Sequence, residues 1–118
     1  MRTTDAVGQY GEEVAARYLQ EAGFAILERN WRCDFGEIDI VARDGRVLVI
    51  CEVKTRRGTD YGSPQEAVTW RKLARLRKLA AQWLSEHEVT PDEVRIDVVG
   101  VVRPHTGPAV VEHLRGVA

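Results

Sequence analysis

Asp39, Glu52 and Lys54 are the residues of this chain whose types and spacing could do chemistry. They lie in Gly36–Arg57, GEIDIVARDGRVLVICEVKTRR. Glu52 follows Asp39 by thirteen residues, with Asp44-Gly45 between them. Asp-Gly is a strong two-residue hairpin signal, because glycine tolerates the positive φ of such a turn. On the first strand Ile38, Ile40 and Ala42 alternate with Glu37, Asp39 and Val41, so Glu37 and Asp39 share a face. On the second, Arg46 to Lys54, Glu52 and Lys54 are two apart and also share a face. This strand is apolar almost throughout, which predicts burial on both faces in the middle of a sheet. A carboxylate and an ammonium at its end need compensation, since burying an unpaired charge is very costly.

Two arrangements meet that need. One is structural: Glu52 pairs with Lys54, or each finds an outside partner. The other is a divalent-metal site. Asp39 and Glu52 would supply hard oxygen ligands from neighbouring strands, as Mg²⁺ sites use one or two carboxylates with water and phosphate oxygens. Lys54 would then stand where it can orient an attacking water or stabilise charge on a scissile phosphate. The residues alone leave both open.

The flanks narrow the choice. Asp39 followed by Glu52-Val53-Lys54 resembles the D…ExK core of the PD-(D/E)XK nuclease superfamily. Gly8-x-x-Gly11-Glu12, Arg29-Asn30-Trp31-Arg32, Gly36-Glu37-Ile38-Asp39, Glu52-Val53-Lys54-Thr55-Arg56 and Arg95-Ile96-Asp97-Val98 occur in that order. Together they resemble the YraN-like family, small bacterial proteins with an endonuclease-like, Holliday-junction-resolvase-like fold. The resemblance covers nearly the whole chain. It implies a restriction-endonuclease-like α/β core and a Mg²⁺- or Mn²⁺-dependent protein that binds and cleaves DNA, branched or repair-related. Asp39 and Glu52 would hold the metal, Glu12 would be an auxiliary ligand or base, and Lys54 would be catalytic. Arg56, Arg57 and Arg75 would contact nucleic acid; Lys72, standing where the family often has a basic residue, would contact nucleic acid or support the site. Cutting both strands needs two sites, so a homodimer is expected. Two rivals stay in view: a non-catalytic nucleic-acid-binding module, and an interaction protein that keeps the motif as a charge network. The tail, Leu114 to Ala118, departs from the apolar, aromatic-containing ending common in the family.

Composition sets the frame. The 118 residues predict one domain with a single core. No apolar run approaches the roughly 20 residues of a membrane helix, and MRTTDAVGQYGEE has no signal-peptide core. Cys33 and Cys51 form no metal-type cluster, and a reducing cytoplasm is expected, with Cys51 a small buried hydrophobe. Net charge is −1, but charge is segregated: residues before Lys54 hold ten acids against six Lys and Arg, whereas 71–78 hold five basic residues and no acid. Such segregation can give a neutral protein a basic face.

The elements that must position these residues follow from local signals. Thr3, Thr4 or Asp5 can cap a helix running to about Ala22, with Val7, Tyr10, Gly11, Val14, Tyr18 and Ala22 as its apolar stripe, Ala15 and Leu19 extending one edge, and Glu12 just beyond that edge. Phe24 to Glu28 reads as a strand. After Lys54 a polar loop, Thr55 to Gly62, is expected beside the site. Ser63-Pro64-Gln65-Glu66 is a capping-box start for a helix to about His87. Val94–Val102 and Ala109–Leu114 complete the order αβββαββ, a mixed sheet with a helix on each face. Arg95 and Asp97 are expected to form a structural ion pair. His87, His105 and His113 suggest no cluster.

Overall fold

Gly45 takes φ 62°, the left-handed conformation a tight hairpin needs, but the two-residue loop is Gly45-Arg46, one position later than expected, with Asp44 still paired to Val47. β2 (Gly36–Asp44) and β3 (Val47–Arg57) pair antiparallel from Asp44↔Val47 to Ile40↔Cys51. The computed structural model describes residues 6–58 and 68–117. Around the hairpin lie α1 (Ala6–Glu21), β1 (Ala25–Cys33), α2 (Trp70–Ser85), β4 (Glu93–Arg103) and β5 (Val110–Leu114). The sheet runs β1-β2-β3-β4-β5; only β3 and β4 are parallel, joined through the α2 crossover. This is the α/β architecture and the element order expected from the sequence.

α1 and α2 cover opposite faces. Ala15, Ala16 and Leu19 of α1 pack with Ile40, Ala42, Val49 and Cys51. Leu76, Leu79, Ala80 and Trp83 of α2 pack with Ile38, Val41, Leu48 and Ile50. Both faces of β3 are therefore buried from Leu48 to Cys51, as its apolar run requires, and half-buried from Glu52 to Arg56. Cys33 packs against the α2-side core and Cys51 within the α1-side core; both thiols are free. Burial, then the charge of Asp97, pushes the Cys51 thiol up, so it stays protonated.

Four expectations need correction. The buried side of α1 holds Gly11, Glu12, Ala15, Ala16 and Leu19, and Tyr10, Val14 and Tyr18 lie only partly buried at its border. Small side chains let the helix sit close to the sheet: a Cβ on Gly11 would collide with the Thr55 side chain. β1 runs on to Cys33 because Arg29, Trp31 and Arg32 pair with Ile40, Ile38 and Glu37. Thr55, Arg56 and Arg57 are strand, not loop, since β4 supplies ladder partners as far as Arg103. The described part of the second helix begins at Trp70. Thr69 is extended (φ −124°, ψ 154°) and its Oγ1 accepts from the Lys72 N–H at 3.1 Å, an N-cap in place of a helix running through from Pro64. The Ser63–Glu66 capping box, the caps Thr3 to Asp5 and the loop tip at 59–62 lie outside the described residues.

Strand alternation also fails at one point. Ile40 belongs to the α1-side core but Ile38 to the α2-side core. The reversal coincides with Asn30 in β1, between the pairs Arg29↔Ile40 and Trp31↔Ile38, whose φ is 54°. Asn is among the few residues that tolerate that region. The position facing Asn30 on β2 is Asp39.

Arg95 and Asp97 do pair, and more closely than expected. Asp97, fully buried, accepts from Arg95 Nε at 2.9 Å, Arg95 Nη2 at 3.1 Å and the Gly116 N–H at 2.9 Å, and lies 2.7 Å from His113 Nε2. His113 Nδ1 in turn meets the Tyr18 hydroxyl at 3.2 Å. Burial works to raise the Asp97 carboxyl, but His113, Arg95 and Gly116 outweigh it and hold it below the usual carboxylate range. A carboxyl depressed in the folded state stabilises fully above its unfolded pKa and loses that contribution as pH falls through its folded pKa. Asp97→Asn is therefore expected to cost about 3 kcal/mol at pH 7, since it leaves buried donors without their charge partner. Urea unfolding over a pH series from 7 downward checks it: the difference between the two proteins should be full at pH 7 and shrink progressively once the pH falls below the ordinary carboxylate range.

Candidate functional site

The β2–β3 ladder stops at Ile40↔Cys51, one step before Asp39 and Glu52 would pair. There Asp39 Oδ2 accepts the Val53 N–H at 2.8 Å, supplying the acceptor that the β2 backbone no longer offers. A pocket of about 400 Å³ opens at the parting strands. Gly36, Glu37 and Asp39 form its β2 wall, Glu52, Val53 and Lys54 its β3 wall, and Arg75 reaches it from α2. The three residues on which the sequence reading centred thus share one cleft.

The electrostatics centre on Glu52. Its Oε2 is 2.6 Å from Lys72 Nζ and 3.9 Å from Lys54 Nζ. The Glu52 and Lys72 side chains are only 15% and 19% exposed, so water screens this pair poorly. Lys54 is held below the usual lysine range, first by its contact with Lys72, then by burial and by repulsion from the Lys72 charge; Glu52 and Asp39 oppose the shift. Glu37, the other carboxylate on the wall, lies 3.7 Å from Arg32.

The remaining candidates fall as follows. Glu12 is buried at 5% exposure on the α1 side and does not line this pocket. Arg56 is half-buried. Arg57 is exposed and lines a different cleft with Gly58, Arg103 and His105. Arg29 pairs with Glu13 of α1 at 3.1 Å. Trp31 is core. Among the described residues, no three His, Cys, Asp or Glu side chains are grouped to hold a metal ion. Three carboxylates line the cleft, and with Glu37 beside Arg32 the pair Asp39 and Glu52 remains as the candidate set; oxygen ligands suit Mg²⁺ or Mn²⁺, which keep several waters, and not Zn²⁺, which favours Cys and His.

The sequence reading placed Lys72 only loosely, as a nucleic-acid contact or a support, and it missed its bond to Glu52. The usable signal was the lone acid at the end of an apolar strand, which demanded a cation. It also missed His113 beside Asp97, for which no spacing gives a clue.

Residues 11–101 match the family model described as Uncharacterised protein family UPF0102. The chain belongs to the UPF0102 family. This is the YraN-like family that the ordered motifs resemble. A UPF0102 protein of Frankia alni is 62% identical over 116 residues, 98% of this chain and 97% of that protein. One from Beutenbergia cavernae is 61% identical over 117 residues, 99% of each chain. One from Streptomyces coelicolor is 58% identical over 120 residues, 100% of this chain and 92% of the other. The UPF0102 match spans Glu12, Asp39, Glu52, Lys54, Lys72 and Asp97 and ends before β5. No helix among the described residues is long and apolar enough to cross a membrane.

Proposed function

We propose that this UPF0102 protein is a Mg²⁺- or Mn²⁺-dependent nuclease acting on branched or repair-related DNA. The observation that carries the reading is the convergence of Asp39, Glu52 and Lys54 on one cleft where two strands part. Asp39 and Glu52 are the metal ligands. A bound divalent ion would acidify its water and offset charge on the phosphate. Asp39 is held in place by the Val53 N–H, which fixes one oxygen and orients the carboxylate. Lys54 projects from the same face as Glu52. Its amine, depressed beside Lys72, donates to the attacking water or to a non-bridging phosphate oxygen. Arg75 and Arg56 make the phosphate contacts nearest the cleft, and Arg57 serves a strand on the other side of β3. Glu12, buried on the α1 side, would act as the auxiliary ligand or base only if the helix start shifted toward the cleft, since it does not line the cleft itself. Cutting two strands takes two copies, so the working form is a homodimer. Two free thiols suit a reducing cytoplasm.

One observation favours a second reading. Glu52 already has Lys72 and Lys54 as counter-charges, so the cluster is balanced without a metal. A non-catalytic DNA-binding module would use the same cations and never cut. A cleavage panel separates the two. Single-stranded, duplex, flap and four-way junction DNA are incubated with the wild-type protein and Mn²⁺, beside Asp39→Ala and Lys54→Ala. Cutting of at least one form, lost in both variants, supports the nuclease. Full cutting retained in both variants, or none by the wild type, contradicts it. Salt-dependent binding without cutting favours the module, each lost phosphate contact lowering the log–log slope by about 0.9 on duplex.

A further inference from the structure

We infer that Lys72 is a tethered cation that occupies Glu52 until a divalent ion displaces it, and that the freed ammonium then serves as a phosphate contact. This rests on the reading of Asp39 and Glu52 as metal ligands. Lys72 Nζ stands 2.6 Å from Glu52 Oε2, far closer than the 3.9 Å of Lys54. A metal–oxygen bond of about 2.0–2.1 Å on that same oxygen would bring a divalent ion against the ammonium. Two cations cannot share one carboxylate oxygen at those distances in a poorly screened cleft without strong repulsion. Glu52 Oε1 offers a second ligand atom, but an ion there would still lie close to the same ammonium, so repulsion sets metal entry against the Lys72 contact.

The backbone is built for the exchange. Lys72 sits in the first turn of α2, and its N–H is held by the Thr69 cap, so its Cα stays where it is. Only the side chain has to move, and a lysine stem is long and rotatable with three donors at its tip. Arg75, one turn on, already lines the same pocket. A released Lys72 joins Arg75 and Lys54 around the space a phosphate would take. Metal and nucleic acid then bind with positive coupling, which linkage makes reciprocal.

The test is amine labelling of the full chain during Mn²⁺ titration, with modification at Lys72 read by mass spectrometry against Lys78. Lys78 is a suitable reference because it lies away from Glu52, over the Phe35 ring at 5.1 Å from its centroid. The Lys72:Lys78 ratio should rise several-fold with the same midpoint as Mn²⁺ uptake measured by calorimetry. A flat ratio while Mn²⁺ binds overturns the inference and leaves the metal site standing. Lys72→Met gives a second measurement: Mn²⁺ affinity should tighten by about three- to tenfold, the size of one partly buried ion pair. Arg75→Met removes the same charge from the same pocket and should tighten it less. Equal tightening by both would mean a general charge effect and would also overturn the exchange. Mn²⁺ uptake by neither the wild type nor Lys72→Met would overturn both the exchange and the metal reading beneath it.

Discussion

Glu52→Gln should abolish divalent-metal uptake and lower DNA cleavage by about 10³-fold or more. The loss corresponds to about 4 kcal/mol of transition-state stabilisation, within the several kcal/mol a metal supplies to a charged phosphate. The substitution is nearly isosteric, so the cleft keeps its shape. What changes is charge. A ligand is lost, and Lys54 and Lys72 are left as neighbouring ammoniums without their shared counter-ion. Some stability goes with it, about 1–3 kcal/mol, as for any mostly buried charge deprived of its partner. Cleavage rates and thermal unfolding should therefore be measured on the same preparation. A folded variant with near-normal cutting would contradict the role given to Glu52.

Lys54→Met should separate binding from chemistry. Cleavage should fall by about 10²- to 10³-fold, the usual loss for one preorganised donor at a developing charge. Metal affinity should hold or improve, because a neighbouring positive charge is removed. The signature is that split, a drop in kcat with Asp39-dependent metal uptake intact. A parallel fall in both would make Lys54 a structural member of the cluster.

The parts of this site visible in the sequence are those that local geometry fixes. The glycine of Asp44-Gly45 marks the hairpin, but the loop is Gly45-Arg46, and only that register brings Asp39 to the level of Glu52; an Asp44-Gly45 loop would have set it opposite Ile50. Strand alternation then puts Lys54 with Glu52. The parallel β3–β4 pairing follows from the crossover helix between them. What escaped the sequence is what docking decides. Lys72 meets Glu52 only because α2 lies over β3, and the helix could have been rotated by one residue without altering its apolar count. His113 reaches Asp97 because β5 folds back as an edge strand, sixteen residues on. The α1 stripe was misjudged by about one position, since partly buried Tyr10 and Tyr18 look like core while Gly11, Ala15 and Ala16 carry the close approach. The strand faces reverse between Ile38 and Ile40, beside the positive φ of Asn30, a backbone event with no periodic signature.

The central claim is that Asp39 and Glu52 form a metal centre that works with nucleic acid. Calorimetric titration of Mg²⁺ and Mn²⁺ into the wild-type protein, beside Asp39→Asn, with and without a four-way DNA junction, tests it most directly. The wild-type protein should take up the ion, Asp39→Asn should abolish that uptake, and the junction should strengthen it. Absence of metal uptake by the wild-type protein even with DNA bound, or equal uptake by Asp39→Asn, would contradict it.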